Sequence, residues 1–415
     1  MIKFERFVLK NGLRVLVHED KSVPTVVVNV LYDVGSRDEN PAKTGFAHLF
    51  EHLMFGGSKN IKVYDEPLQL AGGENNAFTT PDFTNYYCQL PAENIETAFW
   101  LESDRMLSLA FSKKSLEVQR KVVCEEFKEH YINKPYGNVS HELRDLSYKK
   151  HPYKWLTIGK ELKHIEDATL EDVKSFFKKF YHPSNAILVV AGNVSLKQVE
   201  ELAVKWFGDI EPGEKNKHKF PKEPPQKKAR RKTIYADVPL DAFYKCWHVF
   251  PRSNEKYYGT DLITEVFSGG ASSRLFQSLV KEKKLFSSID CHHSGSLDAG
   301  LLTIEGKLVI GVNIKDAENA VMEEVNKFLK KGITKLELEK VKNKTESAMA
   351  FEDMSMTNRA ASLAIYELIG DANLINTELL KYQKIKVKDI LEIGKEIFRE
   401  ENSSTLYYLS NNKNF

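Results

Sequence analysis

Three side chains capable of hydrolytic chemistry lie close together in the segment TGFAHLFEHLMFGG. His48, Glu51 and His52 fall in a stretch with a helical pattern, and the two imidazoles point within about 40° of each other on such a helix. Neutral histidine nitrogens are preferred zinc ligands, so this pair predicts a zinc clamp. Glu51 lies about 60° from His48 on the same side, where it can accept a proton from a metal-activated water.

A catalytic zinc site needs a third protein ligand and leaves its fourth position open. The segment VQRKVVCEEFKEHY supplies acidic and imidazole side chains after an apolar run that indicates a second helix. The residue types alone leave the third ligand open among Glu125, Glu126, Glu129 and His130.

The segments that must position these residues mix strand and helix patterns without strict alternation. FVLKNGLRVLVHED has two short apolar runs around Asn11-Gly12, a strong hairpin signal, and TVVVNVLYDVG follows as a further strand. Apolar positions three and four apart predict helices that include 44–55, 91–110 and 113–131. This mixture favours an α+β fold over a doubly wound sheet.

Length and an internal repeat predict two related domains. A chain of 415 residues has room for about two to three domains. The segment that begins at Leu170 resembles the segment that begins at Val387, with a constant offset of 217 positions. In both copies an amphipathic helix leads through a polar turn into an apolar strand. We therefore expect homologous domains over 1–210 and 233–415, joined by the basic, proline-rich stretch 211–232 as an extended linker.

Composition limits the cellular setting and the partners. The formal charge is +2 and the apolar runs are far shorter than the ~18 residues of a membrane-spanning helix, so we expect no membrane partner. The basic linker has few aromatic residues, which favours a solvated segment over a nucleic-acid site. The first residues lack the apolar region of a secretory signal, so we expect a cytoplasmic protein unless a signal was removed. The widely spaced Cys88, Cys124, Cys246 and Cys291 are expected to be free thiols in or near the core.

His48-x-x-Glu51-His52 is the inverted zincin signature, and the chain resembles the pitrilysin-type zinc metallopeptidases, in particular their bacterial processing-peptidase-like branch. GGENNAFTTPDFTNYY, RKVVCEEF, HPYKWLTIGK and GGASSRLFQSLVKEKK extend the resemblance over most of the chain. It implies the pitrilysin fold, in which two homologous domains are related by a pseudo-two-fold axis and only the first binds zinc. It also implies an endopeptidase that cleaves peptides or unfolded segments.

The resemblance assigns roles to individual residues. It makes Glu126 the third zinc ligand, with Glu129 in reserve, and Glu51 the general base. It implies that a substrate-binding edge strand pairs with the main chain of an extended peptide, and that Phe55 flanks the cleaved bond. The residues of that strand are Asn76, Ala77, Phe78 and Thr79. Gln119 stands where relatives carry an acidic residue, so that acidic side chain is missing here.

One departure from the family bears on partners. Self-sufficient relatives carry an Arg and a Tyr in the second domain, and the positions that align with them are Val280 and Ser287. Neither side chain can replace its counterpart, so the chain resembles the zinc-bearing subunit of a two-subunit member, and a homologous partner would supply the pair. The alternatives are a homodimer or monomer that uses another donor such as Arg274, and a noncatalytic scaffold subunit of the same fold.

Overall fold

The computed structural model describes residues 1–411, which fold into two compact units. Unit 1 comprises Met1–Glu129, Trp155–Phe220 and Ala350–Thr377. Unit 2 comprises His130–Lys154, Pro221–Met349 and Glu378–Phe415, the last four residues of which lie outside the described part. Each unit therefore contains a segment from the opposite half of the chain. The predicted α+β class with two domains is confirmed.

Eleven strands and fourteen α-helices are assigned within residues 1–411. The strands are β1 (Glu5–Val8), β2 (Arg14–Glu19), β3 (Thr25–Tyr32), β4 (Glu74–Thr79), β5 (Thr84–Pro91), β6 (Ala186–Gly192), β7 (Arg230–Ala236), β8 (Ala242–His248), β9 (Phe286–His293), β10 (Leu301–Leu308) and β11 (Ser403–Ser410). The helices are α1 (Phe46–Leu53), α2 (Asp65–Leu70), α3 (Ile95–Leu107), α4 (Lys113–Phe127), α5 (Val139–Ser147), α6 (Leu162–Glu166), α7 (Leu170–Phe180), α8 (Leu196–Phe207), α9 (Lys256–Ser268), α10 (Ile314–Lys331), α11 (Lys335–Glu352), α12 (Met356–Leu368), α13 (Leu374–Lys384) and α14 (Val387–Ile397).

The two sheets repeat one strand order. The sheet of unit 1 runs β1-β2-β6-β3-β5-β4 and that of unit 2 runs β7-β11-β8-β10-β9. In each sheet one pair is parallel, β2 with β6 and β7 with β11, while the pairs that follow toward β4 and β9 are antiparallel. Apart from the added edge strand β1, the second sheet thus copies the first.

The predicted offset of 217 positions holds at the level of hydrogen bonds. Helix α7 starts at Leu170 and α14 at Val387, the same distance apart. After each helix an asparagine side chain donates to a carbonyl at the helix end: Asn185 Nδ2 to Phe180 O and Asn402 Nδ2 to Ile397 O, each at 2.9 Å. The predicted duplication is therefore visible in the sheets, the helices and their caps.

Each sheet has a helix packed on it that comes from the other half of the chain. Helix α12 buries Ala360, Leu363 and Ala364 against Val27 and Ile187 of the first sheet. In unit 2, α5 packs against the strands of its own sheet in the same manner. A single boundary at the linker therefore separates the strands of the two sheets, but it also separates α12 and α5 from the sheets on which they pack.

Other predictions can be compared directly with the structure. The Asn11-Gly12 turn joins β1 to β2, and Gly12 has a φ of +87° that favours glycine. The predicted helices 44–55 and 91–110 are shorter in the structure, where they form α1 and α3, whereas the predicted helix 113–131 is helical throughout because α4 continues into the π-helical turn Lys128–Ile132. Strand β7 begins at Arg230, inside the predicted linker 211–232. All four cysteines are free and buried, as expected. Within residues 1–411, no helix is both long enough and apolar enough to span a membrane.

Candidate metal centre

Helix α1 presents its three functional side chains on the side opposite its apolar face. Leu49, Phe50 and Leu53 are buried, and the Phe50 ring stacks on that of Tyr181 with centroids 5.0 Å apart. The remaining face carries His48, Glu51 and His52, whose side chains are partly exposed. Burial of the apolar stripe therefore fixes the direction in which the predicted site residues point.

Helix α4 brings the third candidate ligand to the histidines. Its first turn is capped by the Ser112 hydroxyl, which accepts from Ser115 N at 3.0 Å. Further along, Arg120 Nη1 donates to the carbonyls of Glu166 and Ala168 at 2.9 and 3.2 Å. The helix is thus held at its start and its middle, and it packs against α1, with Glu126 of its last turn beside the two histidines.

The structure brings together His48, His52 and Glu126, whose potential ligand atoms all lie within 4.8 Å of one another. The Nε2 atom of His48 is 3.6 Å from Glu126 Oε1, and that of His52 is 3.4 Å from Glu126 Oε2. Ligands bound about 2.0–2.1 Å from a tetrahedral zinc would be about 3.4 Å apart, so the donor types and separations fit this ion. No other such group of three is found among residues 1–411.

The other acidic candidates point elsewhere. Glu125 is exposed and pairs with Lys128 at 2.7 Å. Glu129 is also exposed, in the π-helical turn Lys128–Ile132 that follows α4, and does not join the three-ligand group. The structure therefore distinguishes Glu126 from its reserve by position.

The electrostatics favour a neutral imidazole at His48. Burial lowers the pKa of His48 to about 4, despite the nearby Glu126 carboxylate. A neutral ring is the form that donates a nitrogen lone pair to a metal. The opposite ring atom, His48 Nδ1, is buried and has no hydrogen-bond partner among the described residues.

Glu51 is held by the neighbouring strand. The Thr79 hydroxyl donates to Glu51 Oε2 at 2.6 Å. Burial raises the pKa of Glu51, while the hydrogen bond from Thr79 acts in the opposite direction. The carboxyl group is therefore orientated by β4 and held in an environment that increases its affinity for a proton, as a general base requires.

The four predicted substrate-binding residues lie on β4, at the edge of the first sheet. Their inner partners on β5 run in antiparallel register, with Asn76 opposite Tyr87 and Thr79 opposite Thr84. Ala77 N donates to its neighbour's side chain, Asn76 Oδ1, at 2.8 Å instead of to β5. Because N–H directions alternate along a strand, Ala77 presents its donor to the open edge and Phe78 does not.

Phe55 is half-buried one turn beyond His52. Its ring meets the ring of Tyr64 edge-on, with centroids 5.6 Å apart, and the Arg105 guanidinium lies 5.5 Å from its centroid. Arg105 is itself buried and paired with Glu102. The Phe55 ring therefore packs near the Arg105 guanidinium, which its ion pair with Glu102 holds in place.

The three positions tied to the missing Arg/Tyr pair all have structural contacts within unit 2. Val280 packs against the core, and Ser287 Oγ donates to Lys307 O at 3.1 Å. Arg274 donates to both oxygens of Glu337 at 2.8 and 3.0 Å and to Gly332 O at 2.9 Å. The guanidinium that could have served as a substitute donor is thus committed to other acceptors.

Two contacts of the site were not anticipated from sequence. One is the hydrogen bond from Thr79 to Glu51, although Thr79 itself is among the residues expected on the edge strand. The other involves Glu39, whose carboxylate bonds the backbone at the start of α1. A buried acid between short polar segments leaves no periodic signal, so only the folded chain reveals it.

Comparisons with known proteins identify the family. Residues 14–157 match the family described as Insulinase (Peptidase family M16), and residues 167–345 match the Peptidase M16 inactive domain. The zinc protease PqqE of Helicobacter pylori is 30% identical over 98% of this chain and 92% of its own length. The crystal structure of a protease from Helicobacter pylori superposes with a TM-score of 0.93 at 29% identity, covering 98% of this chain and 100% of that one.

A second relative, similar over about half of this chain, is named as a peptidase subunit. The probable mitochondrial-processing peptidase subunit beta of Schizosaccharomyces pombe is 32% identical over 51% of this chain and 46% of its own length. Similarity to named zinc proteases over nearly the full length, together with the matched signature and two-domain fold, shows that this chain belongs to the M16 family of insulinase- and pitrilysin-like peptidases.

Proposed function

We propose that this chain is a zinc-dependent endopeptidase subunit that hydrolyses extended peptides or unfolded segments. The observation that carries the proposal is the arrangement of two histidine Nε2 atoms that lie 3.4–3.6 Å from the oxygens of one carboxylate, next to a half-buried glutamate. His48, His52 and Glu126 would hold the ion. Bound zinc would lower the pKa of water toward 7 and polarise a carbonyl.

The remaining steps belong to the protein's own side chains. Glu51 accepts the proton of the attacking water and then delivers it to the departing amine, acting first as base and then as acid. Thr79 keeps one oxygen of Glu51 occupied by a 2.6 Å hydrogen bond, which leaves the other oxygen for this transfer. The carboxyl group therefore stays in one orientation through both proton movements.

Main-chain pairing along β4 would hold the substrate. The strand lies at the sheet edge, and the Ala77 N–H faces that edge. Pairing with backbone groups places few demands on sequence, which suits an enzyme for extended or unfolded segments. The half-buried ring of Phe55 would flank the cleaved bond.

A homologous partner would complete the site by supplying an Arg/Tyr pair. Val280 and Ser287 cannot stabilise an oxyanion as those side chains do, and Arg274 is already bonded to Glu337 and Gly332. Donors aimed at the developing oxyanion typically contribute about 10² to 10³ in rate each. Similarity to a processing-peptidase beta subunit supports a heterodimer.

The test uses the zinc-loaded chain with a quenched fluorescent, unstructured peptide. Alone, the chain should cleave slowly, and a homologous chain bearing the Arg/Tyr pair should raise the rate to a maximum near one-to-one. Glu51→Gln should keep its zinc and lose about 10² to 10⁴ in turnover in that mixture. Absence of zinc binding would contradict the proposal and favour a scaffold role. Turnover by the zinc-loaded Glu51→Gln chain at the wild-type rate would contradict the general-base role of Glu51. Full activity of the isolated chain would contradict the partner requirement alone.

A further inference from the structure

The start of helix α1 is capped by a side chain from outside the helix. The N-cap residue is Gly45, with a φ of +89°, and it has no side chain with which to bond the amides of the first turn. The buried Glu39 takes this role: its Oε2 accepts from Gly45 N at 2.9 Å and its Oε1 from Ala47 N at 2.8 Å. Both oxygens are therefore engaged by one turn of backbone.

No other side chain can readily replace this contact. A side chain at Gly45 would place its Cβ 2.6 Å from Ile158 O. The preceding residue, Thr44, already uses its hydroxyl to contact His164 Nδ1 at 2.8 Å and to accept from Lys160 N at 2.7 Å. The order of the first turn thus depends on Glu39.

His48 lies in this first turn of α1. His48 directly follows Ala47, whose amide Glu39 binds. Metal-binding histidines are usually orientated by a hydrogen bond to their second ring nitrogen, yet His48 Nδ1 has no such partner among residues 1–411. Its ring is therefore orientated through the helix backbone and side-chain packing, and α1 has only eight residues over which to absorb a shift.

We propose that Glu39 is a positioning residue for the metal centre, which fixes the first turn of α1 so that His48 Nε2 faces Glu126. The inference rests on the proposed function, because it requires that these residues bind zinc. Partners that act behind a metal ligand typically change metal affinity 10–100-fold when removed. Since Glu39 acts through one turn of helix, we expect an effect near the lower end of this range.

The test measures zinc dissociation constants by chelator competition for the wild type, Glu39→Gln and Glu39→Ala. Glutamine keeps one acceptor oxygen but turns an NH₂ group toward an amide, so it should retain part of the contact. Glu367→Ala is the matched control: this buried carboxylate on α12 accepts from Arg6 at 2.8 Å, within unit 1 but away from α1. Melting of the metal-free proteins shows whether the variants lose similar stability.

The inference predicts zinc binding weakened about tenfold by Glu39→Ala, an intermediate value for Glu39→Gln, and a control within twofold of the wild type. The visible spectrum of the cobalt-loaded protein should change with the Glu39 variants and not with the control. Wild-type affinity in Glu39→Ala, or an equal loss in Glu367→Ala, would overturn the inference. If Glu39→Ala does not fold, a zinc affinity of Glu39→Gln within twofold of the wild type would overturn the inference instead. A wild-type chain that binds no zinc would refute the proposed function and this inference together, whereas tight wild-type binding with unaffected Glu39 variants would refute only the inference.

Discussion

Replacing Glu126 by glutamine tests the register of the candidate metal centre. The change keeps the shape of the side chain but removes the negative charge that faces His48 Nε2 at 3.6 Å and His52 Nε2 at 3.4 Å. Both distances lie close to the ~3.4 Å edge of a zinc tetrahedron, so the carboxylate needs little movement to act as the third ligand. Loss of this charge should therefore directly weaken the binding of a divalent ion.

The expected loss of zinc affinity can be estimated by comparison with residues that contact a metal ligand but not the metal. Removing residues that only support a ligand costs 10–100-fold in metal affinity. A direct ligand should cost more, so we expect Glu126→Gln to weaken zinc binding by more than ~100-fold, or about 2.7 kcal/mol. Zinc content after dialysis and chelator competition would both report this loss. Melting of the metal-free protein should change little, because the side chain is about one-third exposed.

Glu129→Gln is the matched control, since it makes the same chemical change one helical turn further along. Glu129 is exposed and outside the three-ligand group, so this variant should bind zinc with wild-type affinity. If Glu129→Gln loses the metal while Glu126→Gln retains it, the assignment is wrong by one turn of helix.

Three further perturbations test other parts of unit 1. Thr79→Val removes the hydrogen bond to Glu51, the proposed general base. Such a bond to a charged group is worth about 1.5–3 kcal/mol, so kcat should fall about 10–100-fold at unchanged zinc content; an unchanged kcat would show that the bond is dispensable. Ala77→Pro deletes the outward amide of β4 and should raise KM more than Phe78→Leu, which trims only a side chain; equal effects in folded variants would indicate recognition through side chains. His218 lies between Asp33 and Asp38, whose hydrogen bonds outweigh burial and raise its pKa from 6.5 to about 9. The resulting stability is fully present below pH 6.5 and is lost as the pH rises through 9, so His218→Gln should destabilise the chain by about 1 kcal/mol at pH 6 after allowance for solvent screening, and by much less at pH 10. A pH-independent difference in the free energy of unfolding would contradict this charge assignment.

The sequence was informative where a pattern reflects a local rule. The HxxEH spacing sets which side chains share a face of α1, and this depends only on helix geometry. The offset between Leu170 and Val387 identified the duplication because equivalent helices and caps need equivalent residues. Strand β4 could be placed by its resemblance to relatives, and its position at the sheet edge followed.

Contacts between distant segments could not be predicted in the same way. The segment His130–Lys154 belongs to unit 2 and Ala350–Thr377 to unit 1, because helices α5 and α12 bury their apolar faces on sheets from the other half of the chain. Amphipathic helices reveal that they need a partner surface but not which one. The proposed role of Glu39 could not be predicted for a related reason. Its carboxylate accepts hydrogen bonds from two backbone amides, and no pattern of side chains in the sequence indicates such a contact.

The duplication also separates what the fold provides from what the side chains provide. In unit 2, α9 packs beside the edge strand β9 much as α1 packs beside β4. The acids on α9 are already engaged, Asp261 with His293 at 3.1 Å and Tyr382 at 2.9 Å, and Glu265 with Lys344 at 2.6 Å. Within residues 1–411 this second helix–strand pair holds no group of three metal-binding side chains. Sheet order and an open edge therefore recur in both copies, whereas the candidate metal chemistry depends on two histidines of α1 and one glutamate of α4 that the second copy does not reproduce.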